Sequence, residues 1–387
     1  MKQVGLFFLL IVLVPVKGLG QTDSIPPNSL YLSIDNLNFI KNNEYFNNIA
    51  DGYTLLGSYL HPKISFHPSS NSKLELGVFG LTYAGLDDYH RIIPTFSFTY
   101  FMKDAQLTMG TLHQNKGHGL IAPLMAFESQ LDERSIENGL QYELHKDKFT
   151  LDTWLNWEHF IFKGATKNEE LVMGISTKYT LLDSDNWSIN IPFQNLFYHR
   201  GGQINTNETQ DRVVFTMRHT AIGCVVQNKF SGGKKLEFNT FFMQNKSGNI
   251  PQEYIFTSGY GSLSHISYTY KNWKLGIGYW YGNQFVSPKG DDMFQSASVK
   301  TDIHYENGVL QPVYSGHTEP ERSLFLGDFS YHKIIAKNIV LGFTVQTYFQ
   351  NYASSPTPDI PDSFTDNQLD YSMGLYIHYK DVFKLMK

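Results

Sequence analysis

Residues 369–380 read L-D-Y-S-M-G-L-Y-I-H-Y-K. The odd positions, Leu369, Tyr371, Met373, Leu375, Ile377 and Tyr379, are apolar or aromatic. The even positions, Asp370, Ser372, Gly374, Tyr376, His378 and Lys380, are nearly all polar or small. A strand sends successive side chains to opposite faces, so this segment has one apolar wall and one wet wall. The pattern recurs along the chain. In residues 92–102, Phe96, Phe98 and Tyr100 oppose Thr95, Ser97 and Thr99. In residues 273–281, Leu275, Ile277 and Tyr279 oppose Lys274, Gly276, Gly278 and Trp280. Repeated behind a secretion signal, it points to an all-β transmembrane barrel of the antiparallel up-and-down kind.

The composition fits that reading. Charged residues make up 17% of the 387 and aromatics 15%, with Tyr and Phe dominant. Soluble domains carry roughly 25% charge. Mean hydropathy is nevertheless below zero, because half of each barrel strand faces water. A net charge of −5 offers no basic surface for nucleic acid. The lone Cys224 permits no intrachain disulfide and reads as a small structural residue. Residues 1–20 carry Lys2, an apolar core from Val4 to Val16 and a Gly18-Leu19-Gly20 end, which reads as a signal peptide cleaved before Gln21. Residues 21–387 then form one barrel.

Connections near residues 70, 104, 147, 185, 232, 272 and 337 are short, and those between them are long. Bacterial barrels have short periplasmic turns and longer extracellular loops, with an even strand number. The count is about sixteen (14–16), including a weak first strand in residues 29–39. Residues 285–322 form the longest connection, an extracellular loop with a strand at 299–305. A soluble sandwich is disfavoured, because its solvent wall would not normally carry so many glycines and hydroxyls.

The mature chain resembles porin-type outer-membrane barrels of Gram-negative bacteria. Three stretches are similar to a group of uncharacterised Bacteroides-type outer-membrane barrels: His118-Gly119-Leu120-Ile121-Ala122-Pro123-Leu124 running on to Glu137-Asn138-Gly139-Leu140-Gln141, Asp152-Thr153-Trp154-Leu155-Asn156-Trp157-Glu158, and Tyr198-His199-Arg200-Gly201-Gly202-Gln203. The resemblance implies the outer membrane as location, with its lipid and its assembly machinery as partners. It also implies that the loop after the fifth strand folds into the lumen. Residues 113–136 are that loop, and His113, Lys116, His118, Glu128, Asp132, Glu133 and Arg134 are the candidate constriction. A short helix over residues 126–135 would align Glu128, Asp132 and Glu133. Charges lining a narrow passage select permeants by sign.

Alternation and loop position direct Asp152, Trp154, Glu158, Arg200, Lys274, Trp280, Asp370 and His378 toward the lumen. Their mixed signs support no strong ion selectivity. The segment His199-Arg200-Gly201-Gly202 reads as a loop turn at a strand end. No Gly-x-Ser-x-Gly elbow or His-Glu-x-x-His helix is present. Ser264 and His265 are adjacent, so they face opposite walls and form no dyad. No metal site, cofactor or catalytic residue is expected, and the chain reads as no enzyme. The expected function is a passive channel for small hydrophilic solutes. A barrel plugged by its own loops within a membrane assembly is the alternative, and an interfacial hydrolase is a further one. The latter would need a His–Ser pair on one outward wall. A second copy of the chain or another membrane protein are further partner candidates.

Overall fold

A computed structural model describes residues 26–113, 116–162, 168–201, 214–248, 255–306, 309–350 and 368–386. The side chains of Lys116, Glu133, residues 302–306 and residues 309–314 are outside that description, as is the expected signal peptide with its cleavage point. The strands are β1 (Ser29–Glu44), β2 (Tyr53–Ser69), β3 (Ser72–Tyr83), β4 (Arg91–Phe101), β5 (Ala105–Thr111), β6 (Asn138–Lys146), β7 (Phe149–His159), β8 (Glu169–Asp183) and β9 (Trp187–Gly201). They continue with β10 (Phe215–Phe230), β11 (Lys234–Ser247), β12 (Ser258–Tyr270), β13 (Trp273–Asn283), β14 (Thr301–Glu306), β15 (Val309–Tyr314), β16 (Glu321–Ala336), β17 (Ile339–Gln350) and β18 (Gln368–Met386).

All of these except β14 and β15 join in one closed antiparallel barrel of sixteen strands. Closure comes from β1 pairing with β18, with Leu37 opposite His378 and Asn43 opposite Ser372. The weak first strand is therefore a full wall element. Closure removes every sheet edge, which a lipid-embedded sheet requires. The last strand behaves as its alternation dictates. Leu369, Met373, Leu375 and Ile377 are exposed, whereas Asp370 and Ser372 are buried. Short turns reverse the chain at one end. Gly232 and Gly233 both have positive φ (76° and 73°), in the three-residue turn that carries the chain from Phe230 to its partner Lys234.

The long connections at the other end do not all stay outside. The loop at 45–52 buries Ile49 and Ala50 completely. The loop after β5 buries Leu124 and Leu131, and the one after β13 buries Phe285, Val286 and Met293. Their partners are inward wall residues. Leu124, Phe285, Met293 and Phe294 pack with Ala221, Met243, Trp280, Leu324 and Tyr348. Val286 and Ala297 pack with Trp154, Val172, Leu196 and Met217. Leu131 and Ile136 pack with Phe39, Tyr59, Phe79 and Tyr376. Among the described residues the barrel mouth thus holds an apolar core built from loops, and a polar chamber lies below it. The connection expected at 285–322 as an extracellular loop runs from Gln284 to Pro320. Its first half instead enters the mouth, because Phe285, Val286, Met293 and Phe294 need apolar cover. The strand expected at 299–305 is one arm of the separate β14–β15 hairpin.

Candidate functional sites inside and outside the wall

The two inner loops are stitched together by backbone. The Ala126 N–H donates to Lys289 O (2.8 Å), and the Asp291 N–H donates to Ala122 O (2.9 Å). Arg322, fully buried on β16, roots the second loop. Its Nε donates to Gln350 Oε1 (3.0 Å) and its Nη1 to Gln295 O (3.2 Å). Glu319 Oε2 lies 3.1 Å from the same guanidinium, which satisfies a charge that burial would otherwise penalise heavily. Burial raises the Glu319 pKa, but the hydrogen bond from His317 and the Arg322 charge outweigh it and leave it lowered.

His118 anchors the first loop. It sits in a run of three left-handed residues, with φ of 64°, 53° and 68° at Gly117, His118 and Gly119. Only the glycines adopt that conformation without strain. The tight coil aims the imidazole at the wall. Nδ1 donates to Asp152 Oδ2 (2.8 Å), Nε2 donates to Glu137 Oε2 (2.6 Å), and the ring stacks on Trp154 at 3.7 Å. Burial lowers the His118 pKa, but the two carboxylates outweigh it and hold the ring at about 9. Gln194 clamps the next residues, donating to Gly119 O (2.9 Å) and accepting from the Ile121 N–H (3.1 Å).

The remaining constriction residues are dispersed. The expected helix at 126–135 is two separate 3₁₀ turns, Phe127–Gln130 and Glu133–Ser135. Glu128 pairs with the buried Lys41 at 3.3 Å, and Asp132 pairs with Arg134 at 2.5 Å. These carboxylates are neutralised in place rather than ranged along one side of a helix. His113 lies lower, with Nδ1 3.3 Å from Glu143. There it helps to line a polar chamber of about 290 Å³ with Asp35, His61, Lys63, Glu75 and Lys380. Asp291 is buried within the second loop, where burial and the nearby Glu128 push its pKa up to about 8.

Of the lumen candidates, Asp152 and Trp154 hold His118, and Glu158 pairs with Lys289 of the second loop. Trp280 is buried under that loop. The Asp370 carboxylate accepts the backbone N–H of Phe46 (2.5 Å) and of Asn47 (3.2 Å). His378 meets Asp35 at 2.7 Å. Arg200 lies against the inward Phe215 ring at 5.9 Å. Lys274 occupies the inward register of β13, opposite Thr269 and Ser330.

The outer wall holds a second imidazole. His199 to Gly201 belong to β9 rather than to a loop turn. His199 shares the outward face with Phe193 and Phe197, since Leu196 and Tyr198 are buried inside. Its register partner on β10 is Thr216, which is outward between the buried Phe215 and Met217. Thr216 Oγ1 and His199 Nδ1 are 2.7 Å apart. The far side of the ring rests on Gly201, where an added Cβ would come within 3.0 Å of Nε2. Gly201 pairs with Glu169 on β8, whose carboxylate acts on His199 electrostatically. Two other imidazole–hydroxyl contacts, His61–Thr95 and Thr108–His113, point into the barrel. Only His199 had been named from sequence. Thr216 and Glu169 carried no local signal, because their pairing depends on strand register. Arg322, Glu319 and Gln350 were missed for the same reason.

A closed sixteen-stranded antiparallel barrel with a lipid-facing apolar wall is an outer-membrane protein. Over residues 21–387 the chain matches the family model described as Lipid A 3'-O-deacylase-type, and it belongs to that family. The family's description names a deacylase, which overturns the expectation of a chain without enzymatic activity. No curated protein matches the chain. Among solved structures, a loop L8 deletion mutant of OmpT, an outer membrane protein of Vibrio cholerae, is similar at 10% identity and TM-score 0.50. The alignment covers 92% of this chain and 100% of that one. Outer-membrane expressed OmpT of Vibrio cholerae gives 9% identity and TM-score 0.50, over 92% and 99%. At this identity the likeness is one of fold.

Proposed function

We propose that the chain is an outer-membrane hydrolase that removes an ester-linked acyl chain from a lipid A-type glycolipid, working on its outer wall. The observation that carries this reading is the 2.7 Å contact between His199 and Thr216 on the lipid side. It lies at the end of β9 and the start of β10, the rim of the long connections, where the outer leaflet's headgroups meet the wall. The family description supplies the reaction class.

The residues divide the chemistry between them. His199 Nδ1 takes the Thr216 hydroxyl proton as Oγ1 attacks the ester carbonyl. The imidazolium returns that proton to the departing sugar oxygen. Water, deprotonated by His199, then attacks the acyl-threonine, and the imidazolium returns that proton to Thr216 Oγ1 as the fatty acid leaves. Glu169, opposite Gly201 on β8, supplies a negative charge that favours the imidazolium formed in each step. The test is fatty-acid release from lipid A in mixed micelles, followed by mass spectrometry. Wild type should release one class of ester-linked chain, and His199→Ala should release none above background. Equal release by both proteins would refute the assignment.

A second reading, passage of small hydrophilic solutes, is favoured by the polar chamber of about 290 Å³ below the loops. Deleting residues 122–134 should then raise single-channel conductance in a planar bilayer. An unchanged conductance would count against it.

A further inference from the structure

Two steps from Thr216 on the same outward face stands Arg218. Directly opposite it on β11 is Lys246, also outward. Both are exposed, and among the described residues neither appears in an ion pair. Like charges directly opposite on one face of an antiparallel pair repel and destabilise it. Exposed lipid-side cations that break this rule need a compensating anion.

Their height indicates which anion. Lys246 pairs with Ser258 at the start of β12. Just below, the outward rings of Phe242 and Tyr260 lie 6.3 Å apart, and Tyr260 and Tyr281 are at the same spacing. Aromatic girdles mark the membrane interface of such barrels. Arg218 and Lys246 therefore sit at headgroup level, above the hydrocarbon and beside the Thr216 hydroxyl. Arg presents a planar fork suited to two phosphate oxygens, and Lys a point charge.

We propose that Arg218 and Lys246 form a phosphate-binding subsite for the acylated glycolipid, which fixes the sugar so that one acyl ester reaches Thr216. The subsite names the substrate class of the outer-wall site and rests on that reading.

The test is made in the full-length Thr216→Val protein in detergent, so that binding is read without turnover. Affinity is measured by native mass spectrometry for bisphosphorylated lipid A, for dephosphorylated lipid A and for phosphatidylglycerol. Replacing Arg218→Gln and Lys246→Gln together should weaken bisphosphorylated lipid A at least tenfold and leave the other two unchanged. Arg218→Lys with Lys246→Arg keeps both charges and should retain affinity, which separates charge loss from misfolding. Unchanged affinity in the double Gln variant would overturn the subsite. So would an equal loss for phosphatidylglycerol, which would mark the pair as contacts for any anionic lipid. If the wild type releases no fatty acid but the phosphate-selective loss is seen, the hydrolase reading falls and the subsite stands.

Discussion

His118 and His199 are both paired imidazoles at the extracellular end of the barrel, and their surroundings give them opposite capacities. His118 is buried on the inside, its two nitrogens committed to Asp152 and Glu137 and its face covered by Trp154. A ring held charged by two carboxylates has no free lone pair and cannot act as a base. It is a clasp. His199 is half-buried on the outside, with one nitrogen on a hydroxyl and the other turned toward a glycine. Among the described residues no carboxylate hydrogen-bonds either nitrogen, so the ring can take and return a proton. The partner, rather than the residue type, decides which histidine holds structure and which one works.

The largest effects should separate the two outright. Thr216→Val or His199→Ala should lower fatty-acid release by roughly a thousandfold, the scale of losing a nucleophile or its base. Thr216→Ser keeps the hydroxyl and should retain activity within about tenfold. His118→Ala should leave release unchanged. If His118→Ala abolished release in a folded barrel, the division of roles would be wrong.

Next in size is the clasp itself. The His118 pKa is about 9 in the fold, against about 6.5 in an unfolded chain. A group raised in the folded state adds stability that is complete below the unfolded value. That stability is lost as pH climbs through the folded value. The contribution is on the order of 3 kcal/mol below pH ~6.5 and fades by pH ~9 or above. Hydrogen exchange of residues 117–124 should therefore quicken across that window in wild type and stay flat in His118→Ala. A flat wild-type profile would show that the clasp carries no charge.

A smaller effect should follow from Gly201→Ala. The new methyl would meet His199 Nε2 at 3.0 Å, displacing the ring from Thr216. About a tenfold loss of activity without loss of the fold is expected, read from release rates alongside heat-modifiable gel migration. The smallest is Asp291→Asn. The Asp291 carboxyl pKa is raised to about 8 in the fold, so folding disfavours its charged form increasingly between pH ~4 and ~8. The amide keeps the acceptor for the Met293 N–H. The melting temperature should rise slightly at pH 8 and not at pH 4.

Much of the fold was legible because alternation is written residue by residue. Leu375 and Gly374 take opposite walls from their neighbours alone. Turn chemistry at Gly232-Gly233 and Lys271-Asn272 then fixed where strands reverse. The inner loops were partly legible. The charged middle of residues 113–136 suggested entry into the lumen, and the loop does enter. It is held there by Leu124, Leu131 and the Gly117-His118-Gly119 coil rather than by a charged helix. The entry of the loop expected from Phe285 to Arg322 into the mouth was not legible, because its apolar residues show no period and burial alone reveals their purpose. The outer-wall pair was the least legible. Ser264-His265 drew attention because they are neighbours in sequence, yet neighbours in a strand face apart. His199 and Thr216 stand 17 residues apart and meet only through the β9–β10 register.

The most direct test of the outer-wall assignment is to find the acyl chain on Thr216. The purified full-length protein is mixed with lipid A, quenched in acid, digested and analysed by mass spectrometry. The expected result is a peptide bearing a fatty-acyl ester at Thr216, absent from His199→Ala and from protein without lipid. Fatty-acid release by Thr216→Val at the wild-type rate, with no acyl group on Thr216 in the wild type, would contradict it.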